Sequence, residues 1–266
     1  MKPVTIIIPQ WVIDKIDKYL DLKYEVAGTF KHDGSRIIDY RKANGSSDWV
    51  HTPLSEINFH THPRFLYERE GVRWGWPSGE DLRECLLFGM TKRHMFHVVF
   101  TKEGVYTIQT TPCFRKFMES QGPEEAGVIV SVLESVFKST HNLRTIDYNN
   151  KHSVKPEDWV KMTRELRIGM FFGAGKETCG KLTCRKIKVV NEDSSVDLVD
   201  LGEYLQMFEG DSLEVYILTK NGNIKETRKM RVADVILSLK KSQKELKKVC
   251  PKSRIFNIEF HPKGQT

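Results

Sequence analysis

The stretch NFHTHPRFLYEREGVRWGWPSGED, residues 58–81, joins the end of a predicted strand to the start of a predicted helix. Residues 54–62 have strand composition, and side chains along a strand alternate between its two faces. His60 and His62 therefore project from one face, where a single metal ion can bind both. At the other end of the stretch, Ser78 can cap a helix that carries Asp81 in its first turn. Two histidines and one carboxylate are a suitable donor set for a divalent metal.

This donor set leaves one position of a tetrahedral zinc site open for water, as a catalytic zinc site requires. Hydrolysis of an amide also needs a base for the proton of the water and a donor for the developing oxyanion. Glu25 is the candidate base, and the Ser78 hydroxyl is the candidate donor. Ser-x-x-Asp is also a common capping pattern, but capping and metal binding are compatible because a helix N-terminus is rigid.

Three short motifs, EVAG at 25–28, HTHP at 60–63 and SGED at 78–81, together resemble the JAMM family, the catalytically competent MPN metalloproteases. The resemblance covers residues 1–140. It implies an α/β fold of the MPN type, similar to cytidine deaminases, in which helices flank a mixed β-sheet. It also implies that the chain hydrolyses ubiquitin or ubiquitin-like conjugates as a zinc-dependent isopeptidase. The implied roles are zinc ligand for His60, His62 and Asp81, general base for Glu25, and oxyanion stabiliser for Ser78.

The chain departs from the family pattern between the second histidine and the aspartate, where residues 63–80 make an eighteen-residue spacer. The family has a shorter segment at this point, and a loop can lengthen at modest cost in chain entropy. The extra length falls within residues 64–76, which are rich in Arg, Tyr and Trp. We expect either a flap over a substrate cleft or an inert loop. The long spacer and the sequence GWPSGED are most similar to JAMM versions carried by large DNA viruses.

Other classes of protein fit less well. Barrel-type phosphoesterases and amidohydrolases also carry His-x-His on a strand, but they need eight strand–helix units, which the sequence after His62 does not show. Zinc deaminases need His-x-Glu and Pro-Cys-x-x-Cys, and the chain has neither. The main alternative to an isopeptidase is therefore a non-catalytic MPN module that acts as a scaffold or as a structural or assembly component of a virion.

Hydrophobic periodicity and turn residues predict the remaining elements. In the first half of the chain we expect a strand at 4–8, a helix carrying Val12 and Ile16, a hairpin around Asp33-Gly34, a hairpin over 96–109 and a helix over 124–139. A loop over 140–156 and a short helix over 157–166 follow. In the second half we expect strands at 184–191, 212–219 and 224–230, a helix over 232–249, and a strand at 255–260. This last strand belongs either to the C-terminal region or to the first sheet.

We expect two regions, a JAMM/MPN-like domain over residues 1–150 and a basic α+β region of unknown role over residues 151–266. The first region holds 19 basic and 19 acidic residues and the second holds 23 and 16, so the second carries the formal charge of +7. Its lysines cluster on the predicted helix 232–249. They form either a solvated helix face or a contact surface for an acidic protein or a nucleic acid.

The apolar runs are too short to cross a bilayer and the start of the chain does not resemble a secretory signal, so we expect an intracellular, cytoplasmic or virion-associated protein. Five scattered cysteines without a Cys-x-x-Cys pair favour free thiols. A glycine-rich segment at 169–176 lacks the spacing of a phosphate loop, and Cys179 with Cys184 lacks a second pair for zinc. Of the other histidines, His94 and His97 lie in the predicted hairpin and His141, His152 and His261 in loops or at the end of the chain, and none of these five is assigned to the site.

Overall fold

A computed structural model of the protein describes residues 5–45, 50–71, 73–91, 94–149, 154–164, 187–190, 196–199, 212–219, 222–246 and 254–264. Its helices are α1 (Gln10–Asp17), α2 (Arg64–Glu70), α3 (Gly79–Gly89), α4 (Pro112–Glu119), α5 (Pro123–Asn149), α6 (Pro156–Arg164) and α7 (Val232–Leu246), with a 3-10 helix over Lys18–Asp21. Its strands are β1 (Val26–His32), β2 (Ile37–Asn44), β3 (Ile57–Thr61), β4 (Phe96–Phe100), β5 (Gly104–Thr110), β6 (Ile187–Val190), β7 (Val196–Val199), β8 (Ser212–Leu218), β9 (Ile224–Arg231) and β10 (Phe256–Pro262).

Six of these strands form one mixed sheet in the order β10-β5-β4-β3-β1-β2. Strands β3 and β4 run parallel, and the other neighbours are antiparallel. A parallel pair needs a crossover connection, which α2 and α3 supply between β3 and β4. The expected α/β class with a mixed sheet flanked by helices is therefore confirmed. Strand β10 pairs with β5, so the closing strand returns to the first sheet.

Helices cover both faces of the sheet. On one face, Val12 and Ile16 of α1 share an apolar cluster with Phe59 of β3 and Val98 of β4. On the other face, Leu86 of α3 belongs to a larger cluster that includes residues of α5 and the next β4 residue, Val99. Because successive strand residues point to opposite faces, Phe59 on the α1 side places Asn58 and His60 on the α3 side.

Three of the described C-terminal elements, β8, α7 and β10, pack on that larger cluster. Val215 of β8, Val235 of α7 and Phe256 of β10 are buried within it. Strand β8 approaches α5 so closely that a Cβ on Gly127 would lie 1.7 Å from the Tyr216 carbonyl oxygen. Only glycine leaves room for this contact. The division of the chain near residue 150 stays a prediction.

Several local predictions were wrong. Of the expected first strand, the described residues form a single bridge, between Ile7 and Arg36. Helix α5 continues to Asn149, into the expected loop, because the sequence offers no Pro or Gly to end it there. Elements α2, α4 and β7 were not predicted, although Thr111 before Pro112 is a helix-start signal for α4.

The prediction that the cysteines are free thiols is confirmed for Cys85, which is buried. It is wrong for Cys113, which is disulfide-bonded. The glycine-rich segment at 169–176, the pair Cys179 and Cys184, and His152 lie outside the described residues. In the part of the chain that the structure describes, no helix combines the length and apolar character needed to cross a membrane.

Candidate metal site

Strand β3 presents the two histidines on the sheet face that α3 covers. His60 lies within β3, and His62 follows the strand and continues its ladder by donating its backbone N–H to the Phe100 carbonyl at 2.9 Å. Both are buried, with 2% and 8% of their surface exposed. The His-x-His spacing thus places both rings on one face, as the alternation of a strand dictates.

Helix α3 supplies the carboxylate through its first turn. Ser78 is the N-cap: its Oγ accepts from the Asp81 backbone N–H at 3.1 Å. In return, the Ser78 N–H donates to Asp81 Oδ2 at 2.5 Å. This reciprocal capping box confirms the predicted helix start. It also orients the Asp81 carboxylate, so that both oxygens can point towards the histidines.

The three donor groups converge. His60 Nε2 lies 3.0 Å from His62 Nε2 and 3.1 Å from Asp81 Oδ1. His62 Nε2 lies 3.3 Å from Asp81 Oδ2. Tetrahedral zinc with bonds of about 2.0 to 2.1 Å keeps its ligand atoms about 3.3 Å apart. The separations are close to this value, with Asp81 Oδ1 facing His60 and Oδ2 facing His62, and His60, His62 and Asp81 could hold a metal.

Hydrogen bonds at the far side of each ring favour the same tautomer. His62 Nδ1 lies 2.8 Å from the Gly75 carbonyl oxygen, which can only accept, so Nδ1 carries the hydrogen. His60 Nδ1 lies 3.0 Å from His97 Nε2. With hydrogens on both Nδ1 atoms, the neutral rings direct the Nε2 lone pairs at each other and at a carboxylate. Positive charge is needed between these three groups, either as protons or as a metal ion.

The Asp81 carboxylate is adapted to this position. Burial disfavours its charge, but without a metal, positive charge on His60 and hydrogen bonds from the protonated His60 and His62 rings outweigh burial and hold the pKa of Asp81 well below its ordinary value. Asp81 therefore stays ionised near neutral pH. An ionised carboxylate is the form that binds a metal.

Glu25 directly precedes β1, and only 9% of its surface is exposed. Ala27 pairs with His60 in the antiparallel ladder of β1 and β3, and Glu25 lies two residues before Ala27. The fold thus places the buried Glu25 at the start of the strand next to β3, and it brings Ser78 and the three donor residues together.

The inserted residues 64–76 form part of the site. They begin with α2, and Tyr67 and Trp76 are buried. The Tyr67 hydroxyl donates to Glu103 Oε2 at 2.9 Å, and the Gly75 N–H donates to Glu103 Oε1 at 2.8 Å. Burial, followed by the nearby Glu103 charge, raises the pKa of Tyr67. Because Gly75 also accepts from His62, the insertion contacts a candidate metal ligand, and the alternative of an inert loop stays a prediction. Its role as a flap stays a prediction.

Sequence reasoning missed His97 and Asn58. These two residues pair in the parallel ladder of β3 and β4, and His97 Nδ1 lies 2.8 Å from Asn58 Oδ1. Asn58 Nδ2 in turn donates to the Pro53 carbonyl at 3.1 Å. Burial lowers the pKa of His97 well below its ordinary value. The sequence signal was a second histidine-bearing strand, but the register of a parallel pair cannot be derived from it.

The basic helix α7 buries Val232, Val235 and Leu239 and exposes Lys241, as its pattern predicts. The Lys241 ammonium lies 2.5 Å from Glu125 Oε1 of α5, so this lysine is paired within the chain. Contact with an acidic protein or a nucleic acid stays a prediction.

The chain matches no protein-family model. It is similar to a viral protein, "Uncharacterized protein 3R" of Frog virus 3 (isolate Goorha), with 29% identity over 110 residues. This match covers 40% of the chain and 24% of the viral protein, so the chain matches about a quarter of the length of this curated relative.

Proposed function

We propose that the protein is a zinc-dependent isopeptidase of the JAMM type that hydrolyses ubiquitin or ubiquitin-like conjugates. The observation that carries the proposal is the convergence of two Nε2 atoms and one carboxylate within 3.3 Å of one another. The topology gives further support to an MPN-type fold, because the crossover between the parallel strands β3 and β4 carries the third donor.

Two nitrogen donors and one oxygen donor suit zinc and leave a position for substrate or water. A bound zinc ion would polarise the scissile carbonyl and lower the pKa of water. His60, His62 and Asp81 would hold the ion. Their different secondary-structure elements, a strand and a helix start, provide a rigid frame for this task.

Glu25 is proposed as the base that takes the proton of the attacking water and passes it to the leaving amine. Its burial at the start of β1, two residues before the Ala27 that pairs with His60, supports this role. Ser78 is proposed as the donor to the developing oxyanion. Its Oγ accepts from the Asp81 N–H, so the hydroxyl hydrogen is not used in that contact.

The direct test is incubation of the purified protein with a panel of linked ubiquitin chains and ubiquitin-like conjugates. We expect cleavage that a chelator abolishes and added zinc restores. Glu25→Gln should retain zinc and lose about 10²- to 10⁴-fold in rate, the usual contribution of a general base. Glu56→Gln, which alters an exposed acid paired with His32, is the matched control.

A non-catalytic MPN module for scaffolding or virion assembly is the second candidate. The packing of residues 64–76 beside the site favours it, because Tyr67 is only 5% exposed and is anchored through Glu103. Zinc bound without cleavage of any conjugate would support this candidate against the first. For both candidates we propose an intracellular, cytoplasmic or virion-associated location.

A further inference from the structure

We infer that His97, oriented by Asn58, is a positioning residue that fixes His60 in the tautomer able to bind metal. This inference deepens the proposed function and rests on its metal site, but not on its substrate. Neither residue contacts the proposed ion, and both act through the far side of the His60 ring.

The direction of the hydrogen bonds follows from their far end. The Asn58 amide nitrogen donates to the Pro53 carbonyl, which leaves Asn58 Oδ1 as the atom facing His97 Nδ1. An amide oxygen only accepts, so His97 Nδ1 carries the hydrogen and His97 Nε2 presents a lone pair. His60 Nδ1 must then donate to His97, so the neutral His60 ring has no hydrogen on Nε2.

The two hydrogen bonds of His97 are protected from competition. Asn58 and His97 have 0% and 1% of their surface exposed. The Phe88 ring of α3 lies against His97, with 6.1 Å between the ring centroids. His94 also approaches Asn58 Oδ1, but at 3.4 Å and without the strand register that aligns His97. Neither solvent nor His94 can easily displace His97 from Asn58 Oδ1.

His97 decides between two states of His60. If His97 accepts no hydrogen bond from His60, the Nδ1–H group of His60 is a buried donor without a partner, which is unfavourable. The other tautomer places the hydrogen on Nε2, where Asp81 Oδ1 at 3.1 Å can accept it. That tautomer has no lone pair on Nε2, the atom that faces the metal site. The His97 acceptor therefore favours metal binding over an internal contact between His60 and Asp81.

The first experiment measures zinc affinity by competition with a chromophoric chelator. His97→Phe keeps a ring of similar size but removes the acceptor, and it should weaken zinc binding about 10- to 100-fold, as loss of a partner of a metal-bound histidine does. His97→Gln offers an amide oxygen near the position of Nε2 and should restore most of the affinity. His94→Phe, the same change at a buried histidine beside the network, should leave zinc affinity unchanged.

The second measurement is independent of metal and of cleavage. Long-range ¹H–¹⁵N spectra of the metal-free protein at neutral pH report which ring nitrogen carries the hydrogen. We expect a hydrogen on His60 Nδ1 in the unaltered chain, and in His97→Phe we expect none on Nδ1 and a hydrogen on Nε2. A His60 Nδ1 without hydrogen in the unaltered chain would overturn the inference even if His97→Phe does not fold.

Zinc affinity unchanged in a folded His97→Phe variant would also overturn it. Failure of the proposed function has a different outcome. A chain that binds zinc, shows the His97 effect on affinity and cleaves no conjugate would retain the positioning role and lose the isopeptidase proposal.

Discussion

The Gly75 carbonyl oxygen accepts a hydrogen bond from His62 Nδ1 at 2.8 Å, which links the inserted segment directly to a candidate metal ligand. The Gly75 N–H is in turn bound by Glu103 at the turn between β4 and β5. The peptide before Gly75 is therefore held by the Glu103 side chain, and the peptide after Gly75 is held by the His62 side chain. The insertion lengthens the connection between the donors and also orients one of them.

Gly75→Ala should weaken metal binding by about 10-fold, in the range expected when a ligand loses its supporting contact. An alanine Cβ at this position would lie 1.9 Å from the Tyr67 hydroxyl oxygen, so the loop or the buried tyrosine must move. Zinc titration against a competing chelator measures the effect. Gly122→Ala is the control, because its Cβ would meet the end of the Glu125 side chain far from the site. Equal affinities for both variants would contradict the supporting role of the insertion.

Asp81→Asn should reduce zinc affinity by more than about 100-fold, beyond the effect of altering a supporting contact, because it removes the charged donor itself. The amide keeps the size of the side chain, so the helix should still form. Calorimetric titration with zinc measures the loss. Glu80→Gln makes the same change of charge at the exposed neighbouring residue and should bind zinc as the unaltered chain does. Similar losses in both variants would mean that general negative charge, and not coordination, determines affinity.

Ser78→Ala separates capping from catalysis. Loss of an N-cap hydroxyl costs about 1 kcal/mol of unfolding free energy. Loss of an oxyanion donor costs about 10²- to 10³-fold in rate. Thr111→Ala removes the corresponding cap of α4, where Thr111 Oγ1 accepts from the Phe114 N–H, and should lower stability alone. Urea unfolding and conjugate cleavage are measured on both variants. If both lose stability and neither loses rate, Ser78 is a cap only.

Acid should destabilise the fold through the buried histidines. Burial, helped by the charge of Arg115, lowers the pKa of His94 from 6.5 to about 3. Below pH 6.5 the unfolded chain takes up a proton that the folded chain does not, so stability falls with pH by about 1.4 kcal/mol per unit for this group. When the pH falls from neutral to about 5, the free energy of unfolding of His94→Leu should decrease by about 2 kcal/mol less than that of the unaltered chain. Urea unfolding at both pH values tests this, and identical losses would contradict it.

Gly127→Ala should destabilise the packing of the β8–β9 hairpin on α5. The added Cβ would lie 1.7 Å from the Tyr216 carbonyl oxygen, and backbone cannot yield as a long side chain can. Overpacking of this kind costs about 1 to 3 kcal/mol. Hydrogen exchange of the hairpin amides should increase more than that of β3 and β4. Uniform exchange across all these strands would show that the C-terminal elements unfold together with the first sheet.

The sequence by itself determined the local parts of the site. Strand alternation places His60 and His62 on one face, and the Ser-x-x-Asp pattern predicts the capping box that orients Asp81, because both depend on residues close along the chain. Hairpins and amphipathic helices with clear turn residues were predicted for the same reason. Helix α2 was missed because burial of Leu66 and Tyr67 outweighs a weak local signal, and the end of α5 was missed although no Pro or Gly interrupts the helix there.

Only the tertiary structure decided which distant groups meet. The parallel pairing of β3 with β4 brings His97 beside Asn58, and a crossover of thirty-four residues between the strands, 62–95, contains nothing that specifies this register. The return of β10 to β5 and the docking of Gly75 on His62 likewise depend on burial across the sheet, which couples residues far apart in the chain. A motif specifies the donors, whereas the tautomers those donors adopt depend on partners that only folding brings into contact.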